Sequence, residues 1–104
     1  AAKERATDSM HVISRKLLRE FARKHSDSEA ALNTWFHTIS KNRFASFIDL
    51  RRILPSADKV GDLIVFNIGG NKYRLIASVH FNRQKVYVRQ ILTHEEYSRG
   101  TWKQ

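Results

Sequence analysis

From Leu63 to Leu92 the chain reads as three strands joined by two short turns, and this run limits the fold more than any other feature. Leu63 to Ile68 is a mostly apolar run of strand length. Gly69-Gly70-Asn71 follows as a hairpin signal, because glycine accepts the backbone angles that a tight reversal needs. Lys72 to Phe81 then alternates: Tyr73, Leu75, Ala77, Val79 and Phe81 point one way, and Lys72, Arg74, Ile76, Ser78 and His80 the other. Asn82-Arg83-Gln84 makes the second turn. Lys85 to Leu92 is the third strand, with Val86, Val88 and Leu92 expected on one side and Lys85, Tyr87, Arg89 and Ile91 on the other. Strands joined this way form an antiparallel meander with one apolar face, and that face demands a cover.

The cover is predicted from the first half of the chain. His11-Val12-Ile13 is a short β-branched strand, and Ser14 is a candidate helix N-cap. Leu17, Leu18, Phe21 and Ala22 recur at helical spacing, with Arg15, Lys16, Arg19, Arg23 and Lys24 mostly on the other side. Ser26 and Glu29 have the spacing of a capping box that restarts a second helix, which carries Leu32, Trp35, Phe36 and Ile39 on one stripe. A short third helix is predicted from Phe47 to Leu54, stopped by Pro55. After the strands, Thr93 is placed to cap a terminal helix, with Glu96 completing its box. The order β-α-α-(α)-β-β-β-α predicts an α+β domain in two layers, a helical hairpin on the apolar face of a small antiparallel sheet. The other sheet face is expected to stay partly open.

Residues 10–104 are read as one domain, which is all that 104 residues allow. Residues 1–9 lack hydrophobic periodicity and are expected to be a flexible tail, or residues foreign to the natural chain ahead of a start at Met10. Nineteen Lys and Arg against ten Asp and Glu give a net charge of +9, and the absence of cysteine removes disulfides, thiolate metal sites and thiol nucleophiles. So large a positive surplus calls for an anionic partner, with nucleic acid the first candidate and an anionic membrane surface the second. No apolar run approaches a membrane span and no signal peptide is visible, so a cytoplasmic protein is expected.

The open face carries the chemistry. Lys72, Arg74, His80, Lys85, Tyr87 and Arg89 fall there with no acidic residue between positions 72 and 89. Lysine and arginine neutralise phosphate, and Tyr87 and Tyr97 offer rings on which an unpaired base can stack. Asp49, Asp58, Asp62, Glu95 and Glu96 are scattered, so no carboxylate pair is placed to hold Mg²⁺, and no metal or other cofactor is expected. RNA supplies its own nucleophile in the 2′-hydroxyl. Cleavage then needs a proton acceptor, a cation for the phosphorane and a proton donor for the leaving 5′ oxygen. His94 has the chemistry for proton transfer, Arg74 and Arg89 for gripping phosphate oxygens. Tyr97, three residues after His94, shares its helical face.

The stretches Val65-Phe66-Asn67-Ile68-Gly69-Gly70-Asn71-Lys72-Tyr73-Arg74-Leu75, Val86-Tyr87-Val88-Arg89 and Thr93-His94-Glu95-Glu96-Tyr97 resemble the HigB branch of the RelE-like toxins, as does the start Met10-His11-Val12-Ile13. The resemblance spans residues 10 to about 101. It implies a RelE-like fold, an mRNA interferase that acts on the ribosome, and a cognate helix-turn-helix antitoxin of the HigA type. Asn71, Arg74, Arg89, His94 and Tyr97 match motif positions, Lys72 a position where other residues are tolerated. The assignment of acid and base is left open. His94, Arg74, Arg89 and Tyr97 are thus the catalytic candidates, and Asn71, Lys72, Lys85 and Tyr87 the RNA-binding ones. The alternative is a basic RNA-binding module on the ribosome without catalysis. The arginines of the first helix read as a solvated face, or as a contact for ribosomal RNA.

Overall fold

The computed structural model describes residues 9–103, so all but Ser9 of the expected tail lies outside the described residues. β1 (His11–Ile13) leads into α1 (Arg15–Lys24) and, after a 3₁₀ turn at Ser26–Ser28, α2 (Glu29–Ser40). α3 (Phe47–Ile53) is followed by β2 (Asp58–Val60), β3 (Leu63–Ile68), β4 (Tyr73–His80) and β5 (Lys85–Thr93). α4 (His94–Arg99) and a 3₁₀ turn at Thr101–Lys103 complete the described chain. The sheet order is β1-β5-β4-β3-β2. β2 to β5 form an antiparallel meander, and β1 adds to β5 in parallel, with Val12 opposite Val86.

The α+β, two-layer expectation holds. Leu18, Leu32, Trp35, Ile39, Phe44 and Leu50 from the helical layer pack against Phe66, Leu75, Ala77, Val86 and Val88 of the sheet. The hydrophobic effect drives this burial at about 25 cal/mol per Å² of apolar surface. Gln84 fastens the β4–β5 turn to the segment after α2. Its side-chain nitrogen donates to the carbonyls of Phe44 and Phe81 at 2.6 and 2.7 Å, and its oxygen accepts from the Phe44 amide at 3.2 Å. Gln84→Ala leaves those buried groups unpaired and is expected to cost on the order of 2–3 kcal/mol. A urea midpoint unchanged by the substitution would contradict that role.

Several local expectations are corrected. Ser14 does not cap α1: it adopts φ 81°, and its side chain makes no cap bond. A single residue joins β1 to α1, and the positive φ makes that corner. Ser26 and Glu29 form no capping box, because residues 26–28 wind into a 3₁₀ turn in which the Ser28 hydroxyl donates back to the His25 carbonyl at 2.6 Å. The strand β2 was not foreseen; three residues of mixed character carry no period. In β5 the faces of Ile91 and Leu92 are the reverse of those predicted. Ile76 pairs with Gln90 and Ala77 with Val88, so Arg89 is an extra residue, a β-bulge that shifts the alternation by one. Beyond it Ile91 enters the main core and Leu92 packs on the opposite face.

Candidate active site

The site begins with a turn that only glycine makes easily. Gly69 and Gly70 both have positive φ, 63° and 69°, and between them reverse the chain from β3 into β4. On the sheet face away from the helices, Asn67 of β3, Arg74 of β4 and Leu92 of β5 lie side by side by register. Thr93 then ends β5 and starts α4. Its hydroxyl accepts from the Glu96 amide at 3.2 Å, and the Glu96 carboxylate accepts from the Thr93 amide at 2.9 Å, the capping box read from the sequence. The His94 amide donates to the Lys72 carbonyl at 2.9 Å, which locks the start of α4 onto the glycine turn.

Arg74 is the hub. Only 8% of its surface is exposed. Its Nη1 donates to the carbonyls of Asn71 and Tyr73 at 3.1 and 3.2 Å. Nη2 donates to Asn71 Oδ1 at 3.3 Å and lies 3.5 Å from His94 Nδ1. The guanidinium carbon sits 5.3 Å from the centre of the Tyr97 ring, a cation–π contact. An arginine can only donate, so a hydrogen bond between the two forms when His94 Nδ1 offers its lone pair. The structure thus brings Asn71, Arg74, His94 and Tyr97 together, and both terminal nitrogens of Arg74 are engaged within that group.

Trp102 supports this cluster and had no role in the sequence reading. Gly100, at φ 78°, turns the chain back after α4. The Trp102 ring stacks on Tyr97 at 5.0 Å and 17°, and its indole nitrogen donates to the Tyr97 carbonyl at 3.0 Å. Beneath it lie Val65 and Ile76, so this part of the expected open face is a second small core. The only advance sign was an aromatic residue shortly after a glycine at a helix end.

The remaining candidates lie elsewhere. Arg89 stands roughly 10 Å along the strands from Arg74, about three residues of strand rise. Its Nε donates to Ser78 Oγ at 3.0 Å, and its guanidinium carbon is 5.8 Å from the Tyr87 ring centre. His80 meets Tyr87 edge-on at 5.2 Å, and Lys85 pairs with His80 across the strands. Next to this second group is a hollow of about 450 Å³ lined by Phe47, Lys59, Ser78, His80, Phe81 and Arg89 among others. Lys72 was expected on the open face but reaches the helical layer instead, with Nζ 2.9 Å from Asp27 Oδ2. The local reversal at the glycine turn takes it out of the strand's alternation, since β4 starts at Tyr73.

Asp27 also accepts from the Tyr73 hydroxyl at 2.6 Å, tying the α1–α2 connection to the start of β4. The hydrogen bond from Tyr73, then that from Lys72, holds the Asp27 carboxyl below its usual range, and Asp27 in turn raises the Tyr73 hydroxyl. A lowered carboxyl contributes stability above the ordinary aspartate range, lost as pH falls through the lowered value. A raised tyrosine contributes below the ordinary tyrosine range, and that is lost as pH rises through the raised value. The stability difference between the parent and Asp27→Asn is therefore expected to be flat from about pH 5 to 9 and to shrink on either side. Urea midpoints across pH check this; a difference that widens below pH 4 would contradict it.

An α+β domain with the helical hairpin on one sheet face and a basic, aromatic cluster on the other has the architecture of the RelE-like toxins. A family model described as HigB toxin, the RelE-like toxic component of a toxin–antitoxin system, matches residues 28–100. The chain belongs to the HigB toxin family. It is 38% identical over 91 residues to the mRNA interferase toxin HigB of Escherichia coli K12, covering 85% of this chain and 88% of that protein. The mRNA interferase HigB of Shigella flexneri matches to the same extent. The mRNA interferase HigB of Escherichia coli O6:H1 is 30% identical over 95 residues, 88% of this chain and 92% of that protein.

Proposed function

We propose that this chain is an endoribonuclease that cuts mRNA on the ribosome by attack of the RNA 2′-hydroxyl, without a metal ion, and that a helix-turn-helix antitoxin of the HigA type restrains it. The observation that carries the reading is the Asn71–Arg74–His94–Tyr97 cluster, which joins a proton-transfer group to a buried cation at a basic face. Among the described residues, no three His, Asp or Glu side chains gather to hold a metal. The names of the relatives support the substrate.

In this reading the 2′ oxygen attacks the adjacent phosphorus, the 5′ oxygen leaves, and a 2′,3′-cyclic phosphate results. The imidazolium form of His94 delivers its Nε2 proton to the leaving oxygen and is left as the neutral ring. The proton of the attacking 2′-hydroxyl passes to solvent, and Tyr97, one helical turn on from His94, hydrogen-bonds the 2′ oxygen. Asn71 orients the scissile phosphate. Arg74 supplies positive potential and holds His94, Asn71 and Tyr97 in place, since its terminal nitrogens are occupied within the cluster.

Arg89 then takes a different part from the one a phosphorane clamp would have. Its two Nη groups make no hydrogen bond among the described residues, and with Lys85, Tyr87 and His80 they form a place for the neighbouring nucleotides. Arg89→Ala is expected to weaken substrate binding and flatten its salt dependence by about one phosphate contact. Arg74→Ala is expected to lower single-turnover cutting on translating ribosomes by about 10²–10³. A large fall in the single-turnover rate for Arg89→Ala with binding intact would return Arg89 to the chemical step. A parent protein that binds translating ribosomes and never cuts would make it a binding module instead.

A further inference from the structure

One cavity lies away from the cluster. It is a groove of about 630 Å³ between α1 and α2, in the helical layer and so across the sheet from Arg74 and His94. Leu18 and Ala22 of α1 and Leu32 and Phe36 of α2 form its floor. Arg15, Arg19 and Arg23 form one rim. They recur every fourth residue, which lines them up on one face over two turns, about 12 Å. All three are exposed, and Arg19 and Arg23 have no ion pair or hydrogen bond among the described residues. Glu20, the one acid of α1, lies 3.8 Å from Lys16. A row of unpaired cations beside an apolar trough self-repels until an anionic partner covers it.

We propose that this groove docks an acidic amphipathic helix of a partner protein. Apolar side chains of such a helix, recurring at three and four residues, fill the trough, and carboxylates along one flank at the same fourfold spacing meet Arg15, Arg19 and Arg23. RNA fits the same surface less well. Phosphates use the arginine rim but gain nothing from the apolar floor. Glu29 on the opposite rim repels them. The Phe36 ring, the one aromatic surface in the groove, is already covered by the Arg15 guanidinium, whose carbon lies 4.6 Å from the ring centre, so no base can stack on that face.

The inference does not depend on cleavage, and its test reads binding alone. The probe is a fluorescent peptide of about five helical turns, roughly 18 residues, with leucines at heptad a and d spacing and glutamates on the flanking positions. A second peptide replaces every glutamate by lysine, and a labelled single-stranded RNA is the third ligand. The protein carries Arg19→Glu with Arg23→Glu, both exposed positions, and separately Ala22→Gln, which fills the floor and keeps the charges. Circular dichroism and a thermal midpoint establish that each variant is folded. The acidic peptide is expected to bind the parent, more weakly as salt rises, and to lose at least about tenfold in affinity on charge reversal. Ala22→Gln is expected to weaken it as well. The basic peptide should bind only the reversed protein. RNA bound at the cluster should change less than twofold, and peptide and RNA should bind together. Failure of the acidic peptide to bind the parent, or equal binding to parent and reversed protein, overturns the proposal. A large loss of RNA binding on reversal, with no peptide bound, makes the groove a nucleic-acid surface instead.

Discussion

His94→Gln is expected to reduce single-turnover cutting of mRNA by about 10²–10⁴ while leaving binding to translating ribosomes close to that of the parent. Glutamine keeps the length and the capacity to hydrogen-bond but cannot titrate. The substitution therefore separates proton transfer from positioning. His94 opens α4, where its amide is fixed to the Lys72 carbonyl and the first turn is closed by Thr93 and Glu96. None of these contacts uses the imidazole, so the helix start should survive. Among the described residues the imidazole's one hydrogen-bonding neighbour is Arg74, at 3.5 Å from Nδ1, and the glutamine side-chain oxygen can accept from that guanidinium in its place. Rapid-quench cleavage, with binding measured separately, checks the outcome. Cutting at the parental rate by a folded variant would remove His94 from the reaction and pass the proton to Tyr97 or a lysine.

What the sequence disclosed and what it concealed follow the range of the interactions. The β4 alternation, the Gly69-Gly70 reversal, the α2 stripe and the Thr93–Glu96 box are set within a few residues, and each was legible. Asn71, Arg74, His94 and Tyr97 were named in advance because they fall on the motif by which the chain resembles the HigB toxins, and the turn, strand and helix that carry them are locally determined. The bulge at Arg89 was not visible, because whether a strand holds an extra residue depends on the partner it pairs with. That one residue reversed Ile91 and Leu92. Asp27 reaches Lys72 and Tyr73 across some 45 positions of sequence, and no periodicity reports such a contact. The burial of Arg74 was hidden for the same reason. A strand-face arginine looks solvated until α4 sets Tyr97 over the guanidinium and the chain after Gly100 brings Trp102 over the sheet.

The second large effect belongs to the substrate. If the attacking group is the 2′-hydroxyl, replacing it with hydrogen at the cut nucleotide removes the nucleophile and leaves the phosphate, the bases and the protein contacts unchanged. Cutting at that position should fall below detection, while ribosome binding and translation up to the site are preserved. In the proposed mechanism no side chain of the Asn71–Arg74–His94–Tyr97 cluster takes the place of the missing oxygen. The chemistry also fixes the products. Expulsion of the 5′ oxygen leaves a 2′,3′-cyclic phosphate, or the 3′-phosphate formed when it opens, on the upstream fragment, and a 5′-hydroxyl on the downstream one.

End-group mapping of fragments cut from an mRNA with a single 2′-deoxy substitution, beside the all-ribose message, tests the account most directly. The expected result is a cyclic or 3′-phosphate end from the ribose message and no product at the deoxy position. A 3′-hydroxyl end, or equal cutting of the deoxy message, would mean that water attacks the phosphorus and would contradict the roles given to His94 and Tyr97.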